Sequence, residues 1–154
     1  NWNARVSAHF DIASGDGPGS RYGRFDPLFG IRRGEFGPTS IYGPIRRSNL
    51  ISTGVRLETK RGKRFDAMTM YRALWLHKEA DTFAATGVRD AAGTSGKWAG
   101  NQVELRLRYW LAPGRLQLEG GGAYLDKGRF LREAPNAPAT GDTRYGYVSL
   151  LATF

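Results

Sequence analysis

Residues 2 to 12 alternate without a break. Trp2, Ala4, Val6, Ala8, Phe10 and Ile12 occupy the even positions, and Asn3, Arg5, Ser7, His9 and Asp11 the odd ones. Successive side chains of a strand point to opposite faces, so this period of two describes a ribbon with an apolar neighbour on one side and a polar one on the other. The run lasts about eleven residues, which suits the roughly 9–11 that cross a bilayer as a tilted strand and exceeds the usual soluble strand.

Five further runs repeat the pattern. Ile51, Thr53, Val55 and Leu57 oppose Ser52, Gly54, Arg56, Glu58 and Lys60. From Arg64 to Leu76, Phe65, Ala67, Thr69, Tyr71, Ala73 and Trp75 oppose Asp66, Met68, Met70, Arg72 and Leu74. Val103, Leu105, Leu107, Tyr109 and Leu111 then oppose Glu104, Arg106, Arg108 and Trp110, and Leu116 and Leu118 oppose Arg115, Gln117 and Glu119. Finally Gly146, Val148, Leu150, Ala152 and Phe154 oppose Tyr145, Tyr147, Ser149, Leu151 and Thr153.

The connections alternate long (14 to 44), short (61 to 63), long (77 to 98), short (112 to 114) and long (127 to 142). Up-and-down outer-membrane barrels have short periplasmic turns and long extracellular loops, so this order predicts such a barrel, with both ends of the chain on the periplasmic side. Trp2, Phe10, Phe65, Trp75, Tyr109, Tyr124, Tyr145 and Phe154 lie toward strand ends, where rings with a polar edge favour the headgroup zone. A soluble sandwich also alternates, but it rarely carries three loops longer than about 12–15 residues. Bacterial barrels have eight or more strands, so six are expected to be a piece of a larger one.

Composition fits this reading. Among 154 residues no linker divides the chain, which we treat as one unit, 1–154, and no apolar run approaches the roughly 18 residues of a membrane helix. The absence of cysteine excludes disulfides and thiolate metal sites. The 23 Lys+Arg against 14 Asp+Glu leave +9, which calls for an anionic partner: nucleic acid, lipopolysaccharide or an acidic polymer. A start at Asn1-Trp2-Asn3, with neither Met nor an apolar signal segment, suggests a mature or truncated product with a missing upstream part.

Residues 25 to 30, Phe-Asp-Pro-Leu-Phe-Gly, and Glu35-Phe36-Gly37-Pro38 resemble the loop signature of the alginate-export family of outer-membrane proteins. Further strings follow in the same order: Arg47-Ser48-Asn49, Tyr71-Arg72-Ala73-Leu74-Trp75, Thr86-Gly87-Val88-Arg89-Asp90, Arg108-Tyr109-Trp110-Leu111, Lys127-Gly128-Arg129-Phe130, Pro135-Asn136-Ala137-Pro138 and Gly141-Asp142-Thr143. The resemblance implies an all-β, antiparallel up-and-down transmembrane barrel of roughly eighteen strands, an even number within the known range. Residues 1–154 would be its C-terminal part. It also implies carriage of an anionic exopolysaccharide through an arginine-rich lumen.

The polar faces supply Arg5, Arg56, Lys60, Arg72, Arg106, Arg108 and Arg115 as pore-lining candidates, with Glu58, Glu104 and Glu119 among them. A planar, permanently charged guanidinium suits carboxylates, and a row of them forms a ladder of weak sites for a polyuronate. The bland reading is mutual neutralisation of Arg and Glu on neighbouring strands. Arg32, Arg33, Arg46, Arg47 and Arg89 in the long loops are candidates for a constriction or for contacts with lipopolysaccharide at the rim, or else plain solvated charge. Phe154, an aromatic closing an alternating strand, resembles the signal read by the barrel-assembly machinery. The expected partners are thus outer-membrane lipid, lipopolysaccharide, an anionic polysaccharide and that machinery, in a Gram-negative outer membrane, without nucleic acid.

No catalysis, metal or cofactor is expected. Only His9 and His77 are present, and Ser7 or Ser149 with His9 reads as lumen filler. Asp11, Asp16 and Asp26 lack EF-hand spacing. Gly120-Gly121-Gly122 lacks the Lys-Ser/Thr of a phosphate loop and marks a bend or close approach within a strand. Two rival readings are a soluble basic β-domain that binds nucleic acid through aromatics and arginine, and a barrel that conducts nothing.

Overall fold

The computed structural model describes residues 2–17, 22–26, 36–39 and 41–154. Among them are six strands: β1 (Trp2–Ala13), β2 (Leu50–Arg61), β3 (Phe65–Trp75), β4 (Trp98–Ala112), β5 (Leu116–Lys127) and β6 (Thr143–Ala152). Each pairs antiparallel with its neighbour in sequence, giving one meander in the order β1 to β6. The sheet does not close on itself, as expected of a partial barrel.

The registers carry the alternation across every strand. Val6 lies beside Leu57, then Thr69, Leu105, Gly122 and Gly146, while Ala8 lies beside Val55, Tyr71, Val103 and Tyr124. All the apolar runs therefore share one face. That face is bare: Val6 and Phe10 are each 68% exposed and Val148 79%. Among the described residues no second sheet covers it. A soluble sandwich would bury this stripe, whereas a membrane barrel solvates it with hydrocarbon, so the architecture is that of a transmembrane barrel wall.

Two tight turns join strands at one end. Gly62 and Gly114 take φ of +59° and +78°, the left-handed region that costs glycine nothing, and the Arg115 amide closes its turn on the Ala112 carbonyl at 3.0 Å. At this end Trp2, Phe65 and Tyr109 share one row of the apolar face, with the Trp2 and Phe65 rings edge to face at 5.9 Å. At the other end Trp75 and Trp98 meet at 5.0 Å beside an irregularity in the β3–β4 register. Tyr145 departs from the expected aromatic belt. It lies opposite Ala123 on the polar face, and its ring packs on Tyr42 and Tyr147.

Some boundaries move. The first long connection runs on to residue 49, and the last contains a short helix, α1 (Arg129–Glu133), that buries Phe130 and Leu131 and was not expected from the strand pattern. The final strand stops at Ala152. Thr153 still donates to the Arg115 carbonyl at 2.8 Å, but Phe154 lies beyond the ladder and is fully exposed, so it is not an in-register member of the apolar face.

The only extended apolar core among the described residues lies at the long-loop end. Phe36, Ile45, Leu50, Leu74, Leu76, Phe83, Val88, Leu125 and Phe130 pack there, so the three long connections fold onto the strand ends and onto one another.

Candidate functional site

The second face of the sheet is a grid fixed by strand register. From the turn end upward its rows read Asn3, Lys60, Asp66, Arg108, Glu119, Ser149; then Arg5, Glu58, Met68, Arg106, Gly121, Tyr147; then Ser7, Arg56, Met70, Glu104, Ala123, Tyr145; then His9, Gly54, Arg72, Gln102, Leu125, Thr143. Arg5, Arg56, Lys60, Arg72, Arg106 and Arg108 thus share one face. Arg115 does not; it sits exposed in the turn before β5.

Four of these arginines are held by acids, as the bland sequence reading allowed. Arg108 pairs with Glu119 directly across β4 and β5, and Arg106 reaches Asp66 diagonally at 3.7 Å. Arg56 bonds Glu58 on its own strand at 2.6 Å. Arg72, buried, lies 3.7 Å from Glu104 and 3.4 Å from Asp11. Opposite charges at direct or diagonal positions on adjacent strands account for Arg108–Glu119, Arg106–Asp66 and Arg72–Glu104, whereas Arg72 reaches Asp11 across the intervening strand β2. Arg5 and Lys60 are exposed and form no ion pair within 4.0 Å among the described residues.

Pairing leaves donors over. A guanidinium has five N–H groups, and one carboxylate satisfies at most two or three. The Nε atoms of Arg56 and Arg106 are buried and meet no hydrogen-bond partner among the described residues. Both side chains line a small cavity of about 90 Å³ with Met68, Met70, Arg72 and Glu104, closed from above by Gly37 and Pro38.

Gly37 and Pro38 belong to the first long connection, which turns inward over this face. Phe36, Tyr42 and Ile45 are buried against it. The anchor is Gln102, wholly enclosed. Its Nε2 donates to the Phe36 carbonyl at 2.9 Å and to Glu104 at 2.6 Å, and its Oε1 accepts from the Tyr42 hydroxyl at 2.7 Å. Arg72 and Arg47 lie over the Phe36 ring at 4.8 and 5.3 Å, and Thr39 Oγ1 and the Tyr145 hydroxyl are 2.7 Å apart. Burial, then the nearby Glu104 carboxylate, pushes the Tyr42 phenol up from its ordinary value, which keeps it a neutral donor.

Of the loop arginines, Arg47 joins this inward segment and bonds Asp11 at 3.3 Å. Arg46 is half-buried beside it, and Arg89 is exposed on the loops, donating to the Ala80 carbonyl at 3.0 Å. Arg32 and Arg33 lie outside the described residues. Gln102, Phe36, Tyr42 and Tyr145 were not singled out in the sequence as site residues; extending the Glu104–Arg106–Arg108 parity back by two reaches Gln102.

Buried polar groups lock the loops into one cap. Asn49, at φ +47°, accepts the Lys78 amide at 2.7 Å and donates to the Lys78 and Thr82 carbonyls. Arg24 grips Asp81; burial opposes charge on that carboxylate, but Arg24 and the amides of Asp16 and Thr82 outweigh it and hold its pKa down. Asn136 ties the third loop to the second through the Gly87 carbonyl and the Arg89 amide. Asp90 accepts the Ser95 amide and hydroxyl, both at 2.8 Å, together with the Thr94 hydroxyl and the Ala92 amide. Those bonds, led by Ser95, lower its pKa from 3.8 to about 2. A depressed carboxylate contributes stability above its unfolded value and loses it as pH falls through the folded one. Amide-exchange protection at Ser95 should therefore hold at pH 5, decline between about pH 4 and 2, and be lowered already at pH 5 in Asp90→Asn.

The inward loop, the arginine grid and the bare apolar face together suit a membrane channel wall. The alginate export family profile matches residues 1–144. The chain belongs to the alginate export family. Comparison with curated proteins returns no match. Family membership identifies an outer-membrane β-barrel concerned with polysaccharide export. Within the loop strings, Phe36, Asn49, Asp90, Phe130, Asn136 and Asp142 are contacts of the cap and the inward segment. Ser7 Oγ lies 3.0 Å from His9 Nε2, but none of the hydrogen bonds among the described residues joins a carboxylate to His9, and Ser149 is on β6, facing Glu119. Asp11 is taken by arginines and Asp16 by the Gly23 amide, and no His/Asp/Glu group among the described residues suits a metal.

Within β5, the glycine run is a close approach. A Cβ at Gly121 would lie 2.3 Å from the Leu105 carbonyl, and one at Gly122 2.5 Å from that of Tyr145. The Tyr147 ring covers Gly121, and its hydroxyl donates to Glu119 at 2.6 Å, so Glu119 holds both Tyr147 and Arg108.

Proposed function

We propose that this chain builds part of the wall of a passive conduit for an anionic polysaccharide in a Gram-negative outer membrane, working without cofactor or turnover. The observation that carries the reading is the grid of arginines on the polar face, each of four held in place by a carboxylate, lying beneath the inward segment. A cation fixed by a structural acid is pre-positioned for a passing carboxylate, and Arg5 and Lys60 add exposed cations that form no ion pair among the described residues. Such contacts are weak individually, as transport requires, because release must be as easy as entry. The grid has a small surplus of positive charge: Arg5, Arg56, Lys60, Arg72, Arg106, Arg108 and Lys127 against Asp11, Glu58, Asp66, Glu104 and Glu119. Arg5 and Lys60 carry much of it at the turn end, where a polymer arriving from the periplasm would meet it first. Arg47 narrows the passage from the loop side, and Arg89 faces outward at the rim, where lipopolysaccharide phosphates would lie.

The test is conductance of the complete barrel in planar bilayers. Anion selectivity is expected, shifting toward cations in the double variant Arg106→Glu, Arg108→Glu. The swap Arg108→Glu with Glu119→Arg keeps both the pair and the net charge and should leave selectivity near the parent value. Absence of conductance, or selectivity indifferent to the double variant, would overturn the proposal.

A further inference from the structure

The turn end of the apolar face carries charge where a lipid-facing surface should have none. Arg61 sits in the aromatic row, opposite Trp2 on one side and Phe65 on the other, with its guanidinium 5.3 Å from the Trp2 ring centre. Arg64 joins it. Together with Trp2, Phe65 and Tyr109 they line an open recess of about 430 Å³. Lys63 occupies the turn between the two arginines, and the nearest carboxylates in sequence, Glu58 and Asp66, belong to the polar face, where they hold Arg56 and Arg106. The recess therefore offers cations and ring faces but no acid.

The row just inside it carries small side chains on β1 to β3. Ala4, Thr59 and Ala67 stand side by side, followed by Val6, Leu57, Thr69 and Leu105, and they line a second recess of about 270 Å³. The two recesses follow one another along the strands, a cationic pocket at the rim and an apolar groove directly beneath it. This is the polarity sequence of one molecule class, a phosphate headgroup with an acyl chain.

We propose that the β1–β3 rim binds an anionic glycerophospholipid of the periplasmic leaflet, with its phosphate between Arg61 and Arg64 and one acyl chain along Ala4, Thr59 and Ala67. Guanidinium forks suit phosphate oxygens, and long basic side chains at the membrane edge extend to the headgroup level. An anionic headgroup is favoured over a zwitterionic one because the recess has no carboxylate to receive an ammonium. The short turns put this rim on the periplasmic side, away from lipopolysaccharide. The inference rests on the membrane placement of the sheet and not on what passes along its polar face, so the two proposals can fail separately.

Native mass spectrometry of the full-length barrel in mild detergent, offered phosphatidylglycerol, phosphatidylethanolamine or lipopolysaccharide, tests it. Phosphatidylglycerol should be retained in preference to the others. Arg61→Gln with Arg64→Gln should weaken that retention by about tenfold or more, given what each basic residue contributes at an anionic membrane surface. Ala67→Leu, which fills the groove and leaves the charge intact, should weaken it too. Arg89→Gln on the loop side should not. Heat-modifiable migration establishes that each variant is folded, and bilayer conductance of the same variants separates this proposal from the one above. Equal retention of phosphatidylethanolamine, retention unchanged in the double variant, or preference for lipopolysaccharide would overturn it.

Discussion

Replacing Arg72 by methionine is expected to destabilise the folded barrel by about 3–5 kcal/mol, the scale for stripping one partner from a buried ion pair. Arg72 and Glu104 are both buried, at 6% and 3% exposure, and the guanidinium also reaches Asp11 and covers the Phe36 ring. Its loss leaves Glu104 with the Gln102 amide as its one side-chain hydrogen-bond donor among the described residues and removes a lid from Phe36. Methionine keeps much of the volume, so the effect reports charge more than cavity. Asp11 retains Arg47 and should matter less. The double variant Arg72→Met, Glu104→Gln should recover part of the loss, because removing both charges leaves none stranded, and a coupling of about 0.5–3 kcal/mol is the usual range for residues in contact. Urea midpoints in lipid vesicles measure both. A single-variant cost below about 1 kcal/mol, the value for solvent-exposed pairs, would contradict the buried network. Arg56→Gln provides the contrast: its pair with Glu58 is about a third exposed on each side, and about 0–1 kcal/mol is expected there.

The fold was legible because a strand encodes its two faces locally. Period-two alternation in β1 to β6, together with Gly62 and Gly114 in turns too short for anything but hairpins, specifies an antiparallel meander without knowledge of long-range contacts. Parity placed Arg72, Arg106 and Arg108 on one face for the same reason. Parity says nothing about diagonal neighbours or about reach across an intervening strand, both of which depend on register, so the partnering of Arg106 with Asp66 and of Arg72 with Glu104 and, across β2, with Asp11 had to come from the structure. The inward segment was still less accessible. Phe36 and Tyr42 read as ordinary loop residues until they meet Gln102, some sixty residues away in sequence. Helix α1 escaped because five residues are too few to show helical periodicity, and what it offers is tertiary: Phe130 packed edge to face on Phe83 at 6.5 Å. Arg115 was misplaced by one position, since alternation alone cannot tell the last turn residue from the first strand residue.

Gln102→Leu should release the inward segment and leave the sheet standing. Three polar contacts end at this one amide, and leucine of similar size supplies none of them. The Tyr42 hydroxyl and the Phe36 carbonyl would remain buried without a partner, at about 1–3 kcal/mol for each such group. That cost bears on the loop rather than on the strands, because β3, β4 and β5 keep their ladder hydrogen bonds and Leu74, Leu125 and Phe130 still pack together when Phe36 and Ile45 leave the core. The cheaper outcome is for residues 36–39 and 41–45 to lift away and hydrate, exposing Arg56, Arg72 and Arg106. Single-channel conductance should therefore rise, and the Tyr42 phenol, no longer buried beside Glu104, should titrate closer to its ordinary value near 10. Gln102→Glu separates hydrogen bonding from size: it keeps an acceptor for Tyr42, loses the donor to Phe36, and places a carboxylate beside Glu104, so it should open the segment more readily than leucine as pH rises. If Gln102→Leu left conductance unchanged while Tyr42 became accessible to a phenol reagent, the segment would be a structural tie and not a constriction.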